Sequence, residues 1–124
     1  MKILVFGTFD NLHLGHVYFL SEAGKRGELF VRVGLDDTVE KIKGKQPRQS
    51  QDERIKAIRE EFPEADIRLG YRDDYLKPIK DIKPDLILLG YDQKLPPGVS
   101  EDDLGCPIER IEAHKPEEFK SSLL

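Results

Sequence analysis

The sequence holds one cysteine, Cys106, so it can build neither an internal disulfide framework nor a CxxC metal site. It lacks any long apolar run. The strongest, residues 3–6 and 86–89, fall far short of a membrane span. It also lacks a basic excess: 20 Lys and Arg face 24 Asp and Glu, a net charge of −4, which argues against a general nucleic-acid or membrane-surface binder. There is one Asn, one Met and no Trp beside abundant Lys, Glu and Arg, a bias resembling a thermophile's. Strand-like sequence begins at Lys2, so no signal peptide is expected and the compartment expected is the cytoplasm.

What remains suffices for one domain. The 124 residues are 38% hydrophobic and 35% charged with mixed signs, a globular composition that predicts a single domain over residues 1–124.

Strand and helix patterns alternate along the chain. Residues 2–6 (Lys-Ile-Leu-Val-Phe, closed by Gly7) read as a buried strand. A loop follows, and from Gly15 the period becomes helical, with Val17, Leu20 and Ala23/Gly24 as the core stripe. Residues 29–33 read as a second strand and 36–42 as a short helix with acids at its positive end. After a polar loop, Ser50 is expected to cap a helix over 51–62, with Glu53 completing a capping box and Pro63 stopping it. Residues 65–69, 85–89 and 107–111 read as further strands, 76–82 as a helix, and 117–124 as the start of a last helix. The alternation predicts an α/β, Rossmann-like, doubly wound sheet of five parallel strands with flanking helices. Ligands of such sheets sit at the carboxyl ends of the strands where strand order switches, which points to Gly7 and Gly90.

The charge is uneven. Residues 41–59 carry seven basic side chains (Lys41, Lys43, Lys45, Arg48, Arg54, Lys56, Arg59) against Asp52 and Glu53. Such a run is either a solvated helix face with a mobile loop or a basic loop that closes over an anionic ligand.

The informative segment is Gly7-Thr8-Phe9-Asp10-Asn11-Leu12-His13-Leu14-Gly15-His16. It puts two of the three histidines three residues apart at a helix start, on one side. The free N–H groups and positive dipole end there form a ready anion site. Gly15 would let a ligand approach the backbone, and Thr8 can offer a hydroxyl and an N–H to a phosphate oxygen. A lone His is usually structural, but a pair with an intervening Gly at this turn is hard to explain as packing. A zinc site would need a third ligand, Asp10 or His114, and the spacing is not His-Glu-x-x-His, so no metal ligands are assigned.

Gly-Thr-Phe-Asp-x-x-His-x-Gly-His resembles the signature of the cytidylyltransferase-like nucleotidyltransferases, and the resemblance covers nearly the whole chain. Class I aminoacyl-tRNA synthetases carry a related motif but are far longer. The resemblance implies that His13 and His16 donate hydrogen bonds to transition-state phosphate oxygens, and that Lys43 or Lys45 neutralises the β- and γ-phosphates. It places Gly7, Thr8, Phe9, Asp10, Gly15, Arg54, Gly90 and Asp92 at the nucleotide, together with Ser121 and Ser122 at the start of a phosphate-binding helix. The family usually carries an Arg or Lys shortly after those hydroxyls; here Leu123 and Leu124 follow. The implied reaction joins a nucleoside triphosphate to a phosphorylated acceptor with release of pyrophosphate, aided by Mg²⁺ or another divalent cation held by substrate oxygens and water. Asp10 and Asp92 are the nearest candidate carboxylates for such an ion, with contact to ribose or acceptor the alternative role for Asp92.

Residues 83–93, ending Gly-Tyr-Asp-Gln, look most like archaeal-type FAD synthetases, which adenylylate FMN. Glycerol-3-phosphate cytidylyltransferases, the alternative, usually show an aromatic where Gln93 stands. A non-catalytic nucleotide-binding domain is the third reading, opposed by both histidines, Thr8 and the lysine loop. The implied partners are a nucleotide and a phosphorylated acceptor, with no nucleic acid and no membrane; a homodimer stays open.

Overall fold

The computed structural model describes residues 1–71, 74–90, 93, 95 and 98–111. The apolar runs form the strands: β1 (Lys2–Gly7), β2 (Glu28–Val33), β3 (Asp66–Leu69), β4 (Leu86–Gly90) and β5 (Ile108–Ile111). All pairings are parallel and the sheet order is β3-β2-β1-β4-β5, as the alternation predicts. The helices are α1 (Leu14–Gly24), α2 (Asp36–Lys43), α3 (Gln51–Glu61) and α4 (Lys77–Ile82).

Side chains alternate across a strand, so β1 feeds two cores. Ile3 and Val5 join Leu20 and Ala23 of α1 and Ile55 and Ile58 of α3 on one face. Leu4 joins Ile82 of α4, Ile87 and Leu104 on the other. The sheet is thereby covered on both sides, which is why β1 and β4 read as continuous apolar runs rather than alternating ones.

Some details differ from the sequence reading. The α1 stripe is Leu20 and Ala23; Val17 is only half-buried and Gly24 is exposed. Ser50 caps α3 as expected, its hydroxyl accepting the Glu53 N–H while the Glu53 carboxylate accepts the Ser50 N–H. A short 3-10 turn, Glu101–Leu104, is an element the sequence reading omits. Its single buried apolar residue, Leu104, gives no periodicity to detect. The expected helix over 117–124 lies outside the described residues.

Strand order reverses between β1 and β4. Their pairing runs Ile3↔Leu86, Leu4↔Ile87 and Val5↔Leu88 and stops there. On their outer sides both strands stay paired to their ends, Gly7 with Val33 and Gly90 with Ile111. A crevice therefore opens between the carboxyl ends of β1 and β4.

Candidate active site

The turn after β1 is built around two imidazoles. His13 is the N-cap of α1, and its Nδ1 accepts the Gly15 N–H at 3.0 Å. His16 reaches back, its Nδ1 accepting the His13 N–H at 3.3 Å. Reciprocal caps of this kind are ordinarily built from Ser or Thr with Glu; here two histidines do it. The rings stack, centroids 3.7 Å apart at 20°. With both Nδ1 atoms accepting, a neutral ring must carry its proton on Nε2, so each histidine keeps an N–H donor that no cap consumes. Burial holds His16 neutral, helped by the positive charges of His13 and Lys43 and opposed by Asp10, so that its pKa falls from 6.5 to about 4.

The glycines fit this geometry. A Cβ at Gly15 would lie 2.9 Å from His13 Cε1, so the residue makes room for the imidazole. The expectation of a close ligand approach is thus joined by a requirement internal to the turn. A Cβ at Gly7 would lie 2.6 Å from the Phe9 ring. Phe9 itself is buried, with φ +53°, and its ring meets His16 edge-on at 5.5 Å. Phe9 supports His16 from below.

Asp10 ties the first turn to the loop after α2. Its two oxygens accept the Arg48 N–H at 2.8 Å and the Gln49 N–H at 2.9 Å, and the Gln49 side chain accepts the Asn11 N–H at 3.1 Å. Burial alone would raise the Asp10 pKa, but these two backbone bonds and the Arg54 and Arg48 charges outweigh it and lower the pKa below 3.8. The latch brings the basic loop to the histidines. Lys43, the last residue of α2 before the left-handed Gly44, acts electrostatically on His16. Lys45 lies two residues further on, exposed.

The resemblance puts Arg54 on the nucleotide; the structure buries its side chain completely. Nε donates to Gln49 O at 3.2 Å, Nη1 to Thr8 O at 2.8 Å and Nη2 to Asp36 Oδ1 at 2.7 Å. It braces the site from beneath. Arg59 likewise donates twice to Ile67 O. Both guanidiniums are committed, that of Arg54 to two backbone carbonyls and the Asp36 carboxylate and that of Arg59 to the Ile67 carbonyl.

Gly7 and Gly90 stand at the ends of β1 and β4, beside the crevice, and Thr8 and Gly15 lie on the turn itself. Asp92, Ser121, Ser122 and His114 lie outside the described residues. Among the described residues no group of three His, Cys, Asp or Glu could hold a metal ion, and both Asp10 oxygens already accept backbone N–H groups. The sequence reading missed Asp36, Gln49 and Arg110, polar residues whose partners are distant in sequence and leave no local signal.

A crevice at the strand-order switch, with two stacked imidazoles on a helix N-terminus and a lysine nearby, is the arrangement of an α/β nucleotidyltransferase. Residues 4–116 match the cytidylyltransferase-like family model. The chain belongs to that family. It is 38% identical over 111 residues to the FAD synthase of Thermoplasma acidophilum, covering 90% of this chain and 75% of that one. It is 45% identical over 95 residues to the FAD synthase of Aciduliprofundum boonei, a match spanning 76% of this chain and 63% of that protein. A crystal structure described as a lipopolysaccharide core biosynthesis protein from Thermoplasma volcanium superimposes with a TM-score of 0.78 at 34% identity, over 93% of this chain and 97% of that one. Among the described residues no helix is long and apolar enough to cross a membrane.

Proposed function

We propose that the protein is an FAD synthase, transferring the adenylyl group of ATP to the phosphate of FMN and releasing pyrophosphate. The observation that carries the chemistry is the reciprocal histidine cap. It fixes two rings side by side, each with an Nε2–H donor that no cap consumes, at the positive end of a helix. The identity of the transferred group and acceptor is supported by the FAD synthases that the chain resembles over most of its length.

In this reading a phosphate oxygen of FMN attacks the α-phosphorus of ATP in line. A new P–O bond forms, the bond from the α-phosphorus to the bridging oxygen breaks, and pyrophosphate leaves with that electron pair. The protein supplies position and charge, with no covalent intermediate. His13 and His16 donate to oxygens of the α-phosphate as charge builds. Lys43, whose charge reaches His16, neutralises the departing pyrophosphate, with Lys45 beside it. Ser121 and Ser122 serve the same end of the nucleotide. The divalent cation arrives with the triphosphate as part of the substrate, held by phosphate oxygens and water. The reaction is assigned to the cytoplasm.

Incubation with Mg–ATP and FMN, with chromatography for FAD and a pyrophosphate assay, tests the reading. Equimolar FAD and pyrophosphate are expected, with CTP and glycerol-3-phosphate inactive as substitutes. Pyrophosphate release from CTP with glycerol-3-phosphate alone would overturn the choice of substrates, and ATP binding without turnover would reduce the protein to a binder.

A further inference from the structure

The β1–β4 ladder ends two residue pairs before the strands do, at Val5↔Leu88. The groups left facing each other across the gap include the Phe6 carbonyl and the Gly90 N–H. Both are taken by one side chain. Gln93 Oε1 accepts the Gly90 N–H at 3.0 Å and Gln93 Nε2 donates to Phe6 O at 2.9 Å. A primary amide offers an acceptor and a donor on a planar frame, as a peptide unit does. Gln93 is inserted between the strands as one detached peptide unit would be. It satisfies both backbone groups while holding the strands one amide apart.

The spacer is itself fixed. The Gln93 N–H donates to Gly90 O at 3.2 Å, closing the turn on which Gln93 sits. Arg110 of β5 donates through Nη1 to Gly90 O at 3.0 Å and to Gln93 O at 2.6 Å. Without the amide the two groups lose their shared partner and turn to water, the turn loosens, and the width of the nucleotide's seat is no longer fixed. The histidines do not depend on the amide, because each is held by a cap within α1.

We infer that Gln93 is a positioning residue that sets the width of the nucleotide crevice by acting as an amide spacer between the carboxyl ends of β1 and β4. This rests on reading the crevice as the seat of ATP. Gln93→Leu removes both bonds at similar volume; Gln93→Glu keeps the acceptor toward Gly90 and removes the donor toward Phe6. For Gln93→Leu, Kd for Mg–ATP by calorimetry and KM for ATP should both rise by about tenfold, the scale of two neutral hydrogen bonds. The kcat should stay within about threefold, since the histidines keep their caps. Hydrogen exchange should show the Gly90 amide losing protection in Gln93→Leu and retaining it in Gln93→Glu, while Leu88 stays protected in both. Gln93→Glu should still weaken ATP binding. A general packing defect would move neither the KM-against-kcat split nor the contrast between the two variants. If either variant folds and binds ATP within twofold of wild type, the spacer role is wrong. If the wild type binds ATP and makes no FAD from FMN while the variants bind ATP weakly, the substrate reading fails and the spacer role stands.

Discussion

Replacing Arg54 by Met tests whether the site rests on a buried brace. The change keeps a long, flexible, apolar side chain and removes the guanidinium. Three bonds go with it: the contact to Asp36 at 2.7 Å and those to the Thr8 and Gln49 carbonyls. Arg54 is fully buried but the Asp36 side chain is 37% exposed, so the stranded carboxylate can turn to water. Breaking a fully buried pair costs about 3–5 kcal/mol, and partial exposure of one partner puts this case near the lower end, about 3 kcal/mol. In a domain of this size that corresponds to a fall in Tm of roughly 12 °C. Urea and thermal unfolding measure it. Asp36→Asn alone, which retains an acceptor, should cost about 1 kcal/mol, and the double variant should lose less than the sum of the singles because they share one interaction. Thr8 sits on the first turn, so the Arg54→Met protein that remains folded should also show a raised KM for ATP. A stability loss below about 1 kcal/mol, or strict additivity with Asp36→Asn, would refute the brace.

His13→Ala and His16→Ala should each lower kcat by roughly 10²–10³, the scale for one lost transition-state donor, with near-wild-type turnover in both counting against the assignment. Gly15→Ala pushes a methyl against the His13 ring, 2.9 Å from Cε1, and should reduce kcat while circular dichroism stays unchanged; full activity would show that the ring position is unimportant. Lys43→Ala should weaken ATP binding more than Lys45→Ala, because Lys43 is the lysine whose charge reaches His16, and the loss should shrink at high salt; equal effects would remove that distinction. The His16 pKa of about 4 lies below its ordinary 6.5, so between these values the unfolded chain binds a proton that the folded chain refuses. Stability contributed by His16 is therefore full above 6.5 and lost as pH falls toward 4. His16→Gln should flatten denaturant midpoints across that window, whereas Asp10, with a pKa lowered from 3.8, acts only below it.

The sheet was legible because its central strands are buried on both faces, and a short continuous apolar run ending in glycine fits few positions in a fold besides such a strand. The helix α3 was legible at its start, where Ser50 and Glu53 cap it through contacts three residues apart. Local chemistry is what a sequence displays. Arg54 shows the converse. Four residues beyond Ser50 on a strongly charged helix, it looks like its exposed neighbours Glu53 and Lys56, and only the arrival of Thr8 and Asp36 from other elements makes its burial tolerable.

The same division runs through the site. His13, Gly15 and His16 are near in sequence because a reciprocal cap spans one helical turn, so the motif and the geometry coincide. Asp10 is in that motif too, yet both its bonds reach residues 38 and 39 positions away, and no local spacing could have set them. Gln93 stands 87 residues from the Phe6 carbonyl it bridges. His13 and His16, the proposed donors to the α-phosphate, cluster at one helix start, where a single dipole end and a few free N–H groups serve the same anion. The groups that fix the distance between the two halves of the crevice must come from different strands. A reading confined to neighbouring residues therefore finds the histidines and misses the side chains that hold the crevice open.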